Sequence, residues 1–226
     1  MTDEIANYFK SGLVLPTFEA VRSFNIWKNV ATEASFLKTQ SKNIQLLYSF
    51  VQFGAQNSFV LNLGKLYDNP KSKYPTLCIR SFLDRITLVG DWTRIVEDTQ
   101  TVRTMKFYGC PQNLLDAVNG IDPNDFPKLF VEYYRDRLSS ETMKQNIDTL
   151  KKLRDKFVAH NEYVSAPAKI EHDAINNLLD LANEIISVYG IAYNRERWNL
   201  DGVSTLKRDA ERNADFIKVN ISFLKS

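Results

Sequence analysis

An all-α fold is what this sequence predicts, on three observations. Apolar residues recur at intervals of three and four along most of the 226-residue chain, no stretch sustains the alternation of apolar and polar residues that marks a half-buried strand, and only eight glycines and seven prolines interrupt it. Hydrophobic residues at 44%, charged residues at 25%, fourteen Phe and ten Tyr supply the volume for one substantial core. We therefore expect a single domain over residues 1–226, with its core at about 17–195 and a C-terminal helical tail at about 203–226.

The elements follow in order. After a short N-terminal helix, Pro16 and Thr17 open a segment in which Phe24, Trp27, Ala31, Ala34 and Leu37 share one face. A second stripe of about 25 residues runs through Ile44, Tyr48, Val51, Ala55, Phe59 and Leu66 until Asn69 and Pro70 stop it. From Pro75 the run PTLCIRSFLDRI predicts a compact helix. Between Val89 and Asp125, Gly109, Pro111, Gly120 and Pro123 break up mixed charges, and we place an insertion there. Helicity resumes at Phe126, and Ser139 with Ser140 caps the next helix, aided by Glu141 in its first turn. Ser165 and Pro167 start a long helix with two apolar stripes, one from Ile170 to Val188 and one from Ile175 to Tyr189. So wide an apolar face predicts the central helix of a bundle. From Val203 onward an amphipathic helix, ending in Phe216, Ile217, Val219, Ile221, Phe223 and Leu224, forms the tail.

Composition also excludes several function classes. No apolar run approaches the roughly 20 residues a spanning helix needs, and MTDEIANYFK lacks the basic start and apolar stretch of a signal peptide, so we expect a cytoplasmic protein with no membrane partner. Cys78 and Cys110 lack metal-ligand spacing and read as reduced structural thiols. A formal net charge of +2 makes any electrostatic footprint local. The one local excess is on the helix after Ser140, where Lys144, Lys151, Lys152, Arg154 and Lys156 outnumber Asp148 and Asp155.

That helix carries the stretch most suggestive of chemistry, LRDKFVAHNE from Leu153 to Glu162. Arg154 falls within the arc of Met143, Ile147, Leu150, Phe157 and Val158, where an unpaired charge would be costly, so a partner must compensate it. At about 100° and 1.5 Å per residue, Arg154 and His160 lie about 120° apart around the axis and about 9 Å apart along it. They serve one site only if the helix ends near His160 or if two copies of the chain complete the site.

An arginine, a polar residue directly after it and a histidine after five intervening residues, here Arg154, Asp155 and His160, resembles the signature of HEPN domains. LRDKFVAH is most similar to the abortive-infection AbiU-like branch. The run SFVLNLGKLYDNPKSKYPTLCIRSFLD, a long helix ending in Leu-Tyr-Asp, then a polar loop and a helix, resembles the first half of that branch. The likeness spans roughly the central two-thirds of the chain and leaves the tail beyond Trp198 uncovered.

The resemblance implies a HEPN-like helical bundle with extra helices at both ends, and a dimeric ribonuclease that needs neither metal nor other cofactor. By that likeness neutral His160 takes the proton of an RNA 2′-hydroxyl, Arg154 holds the scissile phosphate, and Asp155 orients Arg154 or the partner's histidine. Lys151, Lys152, Lys156 and Asn161 are the implied RNA contacts, although Lys152 and Lys156, four apart, equally suit a solvated face. RNA, a second copy of the chain, and a neutralising antitoxin or nucleotidyltransferase are the implied partners. In the nucleotidyltransferase-controlled toxins a tyrosine stands two residues after the histidine; here that residue is Glu162, with Tyr163 one further on, which weakens the last expectation.

Two alternatives remain open at this level. A non-catalytic HEPN-like helical dimer binding RNA, a nucleotide or a protein fits the same residues. His172 and Asp173 resemble the pair of HD-type metal phosphohydrolases, but His160 is the only other histidine and no clustered carboxylates accompany it, so an exposed pair on a helix is the stronger account.

Overall fold

A computed structural model describes residues 3–70, 76–88, 98–120, 122, 124–158, 171–194, 199–200 and 203–225. The chain is an all-α bundle of helices α1 (Asp3–Asn7), α2 (Leu15–Thr32), α3 (Ala34–Leu37), α4 (Lys42–Leu66), α5 (Ile79–Leu88), α6 (Asp98–Phe107), α7 (Gln112–Val118), α8 (Asp125–Ser139), α9 (Glu141–Val158), α10 (His172–Asn194), α11 (Thr205–Ala214) and α12 (Phe216–Lys225). A π-helical segment, Tyr8–Val14, joins α1 to α2 without a break, so Pro16 sits in the first turn of α2 and not after a loop. Asn199–Leu200 and Val203–Ser204 pair as a two-residue antiparallel ladder that the helical periodicity did not foreshadow.

Helix α10 is the axis of the bundle. Every residue from Leu181 to Ala192 is buried, including Asn183, Glu184 and Ser187. Its two apolar stripes let it meet α6, α9, α2, α4 and the π segment together. The helix begins at His172, and the expected start, with Ser165, Pro167 and Ile170, lies outside the described residues.

Three expectations change with the structure. The compact helix begins at Ile79, four residues after Pro75. Before it, the Cys78 amide donates to the Tyr8 hydroxyl at 3.2 Å and that hydroxyl donates to the Thr76 carbonyl at 2.8 Å, so the chain entering α5 bonds to the π segment first. Gly12 permits that approach, because a Cβ there would lie 2.9 Å from the Leu77 Cβ. The stretch placed as an insertion instead builds α6 and α7, whose Met105, Leu114 and Leu115 belong to the main core. The tail is two helices, and α11 joins the main core through Leu206 and Ala210 while packing on α2. Helix α12 buries Ile217 and Ile221 in a second, smaller cluster with Val30, Leu37 and Tyr48.

Helix α4 brings its core face, Tyr48, Ala55, Phe59 and Leu66, against α2 and sends its C-terminal end beneath α9. That crossing positions the candidate site.

Candidate functional site

Arg154 is presented by α9 and lies on α4. Leu150 and Leu153 fix the buried side of α9, and the Arg154 side chain beside them is 26% exposed. Its stem crosses α4 at Gly64, where a Cβ would come within 3.0 Å of Arg154 Cδ. The guanidinium reaches just past the end of α4. Nη1 donates to Asp68 Oδ1 at 3.3 Å, and Nε donates to Asp155 Oδ1 at 3.2 Å. This is the compensation that a half-buried charge in an apolar arc requires. Burial alone lowers the arginine's affinity for its proton, but the two carboxylates outweigh it and the pKa is raised, so the group is always cationic. A guanidinium has five N–H donors. Arg154 commits two of them among the described residues.

Asp68 is held in place by the residues before it. Leu66 ends α4 and is buried, and Tyr67 turns inward to donate its hydroxyl hydrogen to the Leu178 carbonyl of α10. Burial drives the Tyr67 pKa far upward, which keeps the phenol a neutral donor. Leu66 and Tyr67 thus fasten the helix end to the core and leave Asp68 facing the guanidinium.

Of the other expected site residues, Asp155 is exposed on α9 beside Arg154. Lys151 is half-buried one turn earlier, Lys152 is exposed, and Lys156 belongs to the last turn of α9. His160 and Asn161, with Glu162 and Tyr163, lie outside the described residues. Sequence reasoning did not single out Asp68 and Gly64 as site residues. The only signal was the Leu66-Tyr67-Asp68 run at a helix end, which says nothing of an arginine 86 positions away.

Two other polar groupings contrast with this one. His172 and Asp173 are exposed in the first turn of α10, with the imidazole edge-on to Phe24 and Trp27 at 5.7 and 5.3 Å between ring centres. Among the described residues no three His, Cys, Asp or Glu side chains group as metal ligands would. Deeper in the bundle Glu184 of α10 is buried and accepts from Arg137 Nη1 of α8 at 3.3 Å, while the same nitrogen donates to the Tyr133 hydroxyl at 2.8 Å. Burial raises the Glu184 carboxyl above its usual range against the pull of Arg137. The Cys110 thiol, 3.9 Å from Glu184, is pushed up to about 12 by burial and by that carboxylate. A thiol held so high stays protonated, and the Arg137–Glu184 pair ties α8 to α10.

No helix among the described residues is long and apolar enough to cross a membrane. Neither a curated protein nor a solved structure matches the chain. The model of the family HEPN_AbiU2, described as AbiU2, matches residues 19–215, from α2 through α11, and so reaches beyond Trp198 into the tail. With the helical bundle and the arginine on α9 both in place, this match over most of its length establishes that the chain belongs to the AbiU2 family of HEPN proteins.

Proposed function

We propose that this abortive-infection HEPN protein is a metal-independent ribonuclease whose site two copies of the chain complete. The observation that carries the reading is Arg154, a half-exposed guanidinium held by Asp68 and Asp155 with N–H donors to spare. Such a group binds a phosphodiester and balances the charge that develops on its oxygens. Neutral His160 accepts the proton of the RNA 2′-hydroxyl, the 2′-oxygen attacks phosphorus, and the 5′-oxygen leaves with a proton, giving a 2′,3′-cyclic phosphate. DNA, which lacks that nucleophile, is inert. Lys151, Lys152, Lys156 and Asn161 contact the flanking chain.

A feature of α4 supports the dimer. Leu46, Phe50, Phe53 and Leu61 are exposed on the side away from the core, and with Asn57 they continue at spacings of three and four to Gly64, under Arg154. The exposed apolar residues therefore share the face of α4 that carries Gly64, the residue under Arg154.

The test is incubation of a mixed-sequence RNA in EDTA with the wild type, Arg154→Ala and His160→Ala. We expect cuts ending in 2′,3′-cyclic phosphate, reduced at least ~100-fold in both variants with their melting behaviour retained. Intact RNA with a folded dimeric protein would move the reading to a non-catalytic module that binds RNA, a nucleotide or a protein.

A further inference from the structure

Beside the Arg154 site lies a cleft of about 300 Å³ where three parts of the fold converge: Asn69 just beyond α4, Arg80 and Asp84 of α5, and Arg135 and Ser139 of α8. Its charges do not cancel. Arg135 Nη2 pairs with Asp84 Oδ1 at 2.6 Å, whereas Arg80, half-buried, forms no ion pair among the described residues. Among the described residues the cleft thus keeps one guanidinium without an ion pair, and the planar fork of arginine is matched to phosphate oxygens. The side chains of Asn69 and Ser139 make no hydrogen bond among the described residues and add neutral donors at the rim. The volume is at the lower end of that of small-ligand sites, room for about one nucleotide. Location adds meaning to the chemistry. Asn69 directly follows Asp68, the carboxylate that holds Arg154, so the cleft and the motif arginine share the same end of α4.

We propose that this cleft is a phosphate subsite, with Arg80 as its principal contact and Asn69, Ser139 and the free edge of Arg135 around it. It takes a backbone phosphate of an RNA strand that also meets Arg154; that choice of source rests on the ribonuclease reading, while the phosphate chemistry does not. A free nucleotide offers the same group and is separated by experiment.

The experiment uses the full chain as wild type, Arg80→Gln, Arg80→Lys and, as a charge-loss control at exposed Arg212 of α11, Arg212→Gln, all checked by thermal melting. One arm measures anisotropy of a labelled ten-residue 2′-O-methyl RNA, which cannot be cleaved by 2′-hydroxyl attack, across a salt series. A second arm measures the melting shift given by AMP and by inorganic pyrophosphate. We expect Arg80→Gln to weaken oligonucleotide binding ~10-fold and to lower the salt slope by about 0.7, the share of one single-strand phosphate. Arg80→Lys should recover part of the loss, and Arg212→Gln should stay within about twofold of wild type. Stabilisation by AMP or pyrophosphate that depends on Arg80, with oligonucleotide binding indifferent to it, keeps the phosphate site and assigns it to a free nucleotide. Equal behaviour of wild type and Arg80→Gln toward all three probes, including no binding by either, overturns the proposal. Because the probe is not cut, Arg80-dependent binding without RNA cleavage would leave the subsite standing while the ribonuclease reading fails.

Discussion

At the scale of single residues, the geometry separates stability from activity at Gly64. Alanine in a helix interior gains up to ~1 kcal/mol over glycine, but here the added Cβ would press on Arg154 Cδ at 3.0 Å. The arginine stem is flexible and can yield, so Gly64→Ala should melt within a few degrees of wild type while RNA cleavage falls, because the guanidinium has been displaced. Unchanged cleavage would show that the position of Arg154 on α4 is immaterial. Glu184 gives a test by pH. Its carboxyl is raised by burial, so the stability of the neutral form is present below the unfolded carboxylate value and is lost as pH rises through the folded one. The melting temperature of Glu184→Gln minus that of wild type should therefore climb from pH 4 to pH 7, and a flat difference would contradict a raised carboxyl. The need for a partner to Arg154 was legible in the sequence, because a charge inside an apolar arc demands one. The identity of Asp68 was not, since pairing across 86 residues is set by how α9 crosses α4.

Between elements, the end of α4 is the part that converts packing into a site. Tyr67 bonds the chain to the α10 backbone, and Tyr67→Phe removes that bond while keeping the ring. Because the Leu178 carbonyl lies within α10, the loss should be about 1 kcal/mol, or roughly 2–4 °C in a chain of this size, measured by thermal unfolding. A shift as large as that of Tyr67→Ala would mean the hydroxyl matters more than the burial. Helices α4, α8 and α9 could be read from periodicity, with the Asn69–Pro70 stop three residues beyond the end of α4 at Leu66 and the Ser140 cap directly before α9. Helices α6 and α7 could not, because each is ten residues or fewer and rich in polar residues, and burial of Met105, Leu114 and Leu115 holds them in place more than any repeat does. The tail misled for a related reason: Leu206 and Ala210 make a short core face, while the apolar run after Asp215 drew notice to residues of which only Ile217 and Ile221 are buried.

For the molecule as a whole, the outer face of α4 decides whether one chain is sufficient. Phe50 and Phe53 are 76% and 53% exposed, and from Leu46 to Leu61 the exposed residues span about four helical turns, about 22 Å. Sequence periodicity revealed the core stripe through Tyr48, Ala55 and Phe59 and concealed this second one, since a helix apolar on two sides does not disclose which side meets its own fold. Two phenylalanines left in water among exposed leucines suit an association surface, and a stable pair covers about 800 Å² on each partner. The proposed dimer buries this face near the two copies of Arg154. Replacing Phe50 and Phe53 together with glutamate sets like charges against one another in that interface while leaving the core stripe untouched. The double variant should run as a monomer by light scattering where the wild type runs as a dimer, melt with the same cooperativity, and lose cleavage with Arg154 and His160 intact. A double variant that stays dimeric places the interface elsewhere, and a monomer that still cuts RNA at the wild-type rate means that one chain holds the whole site.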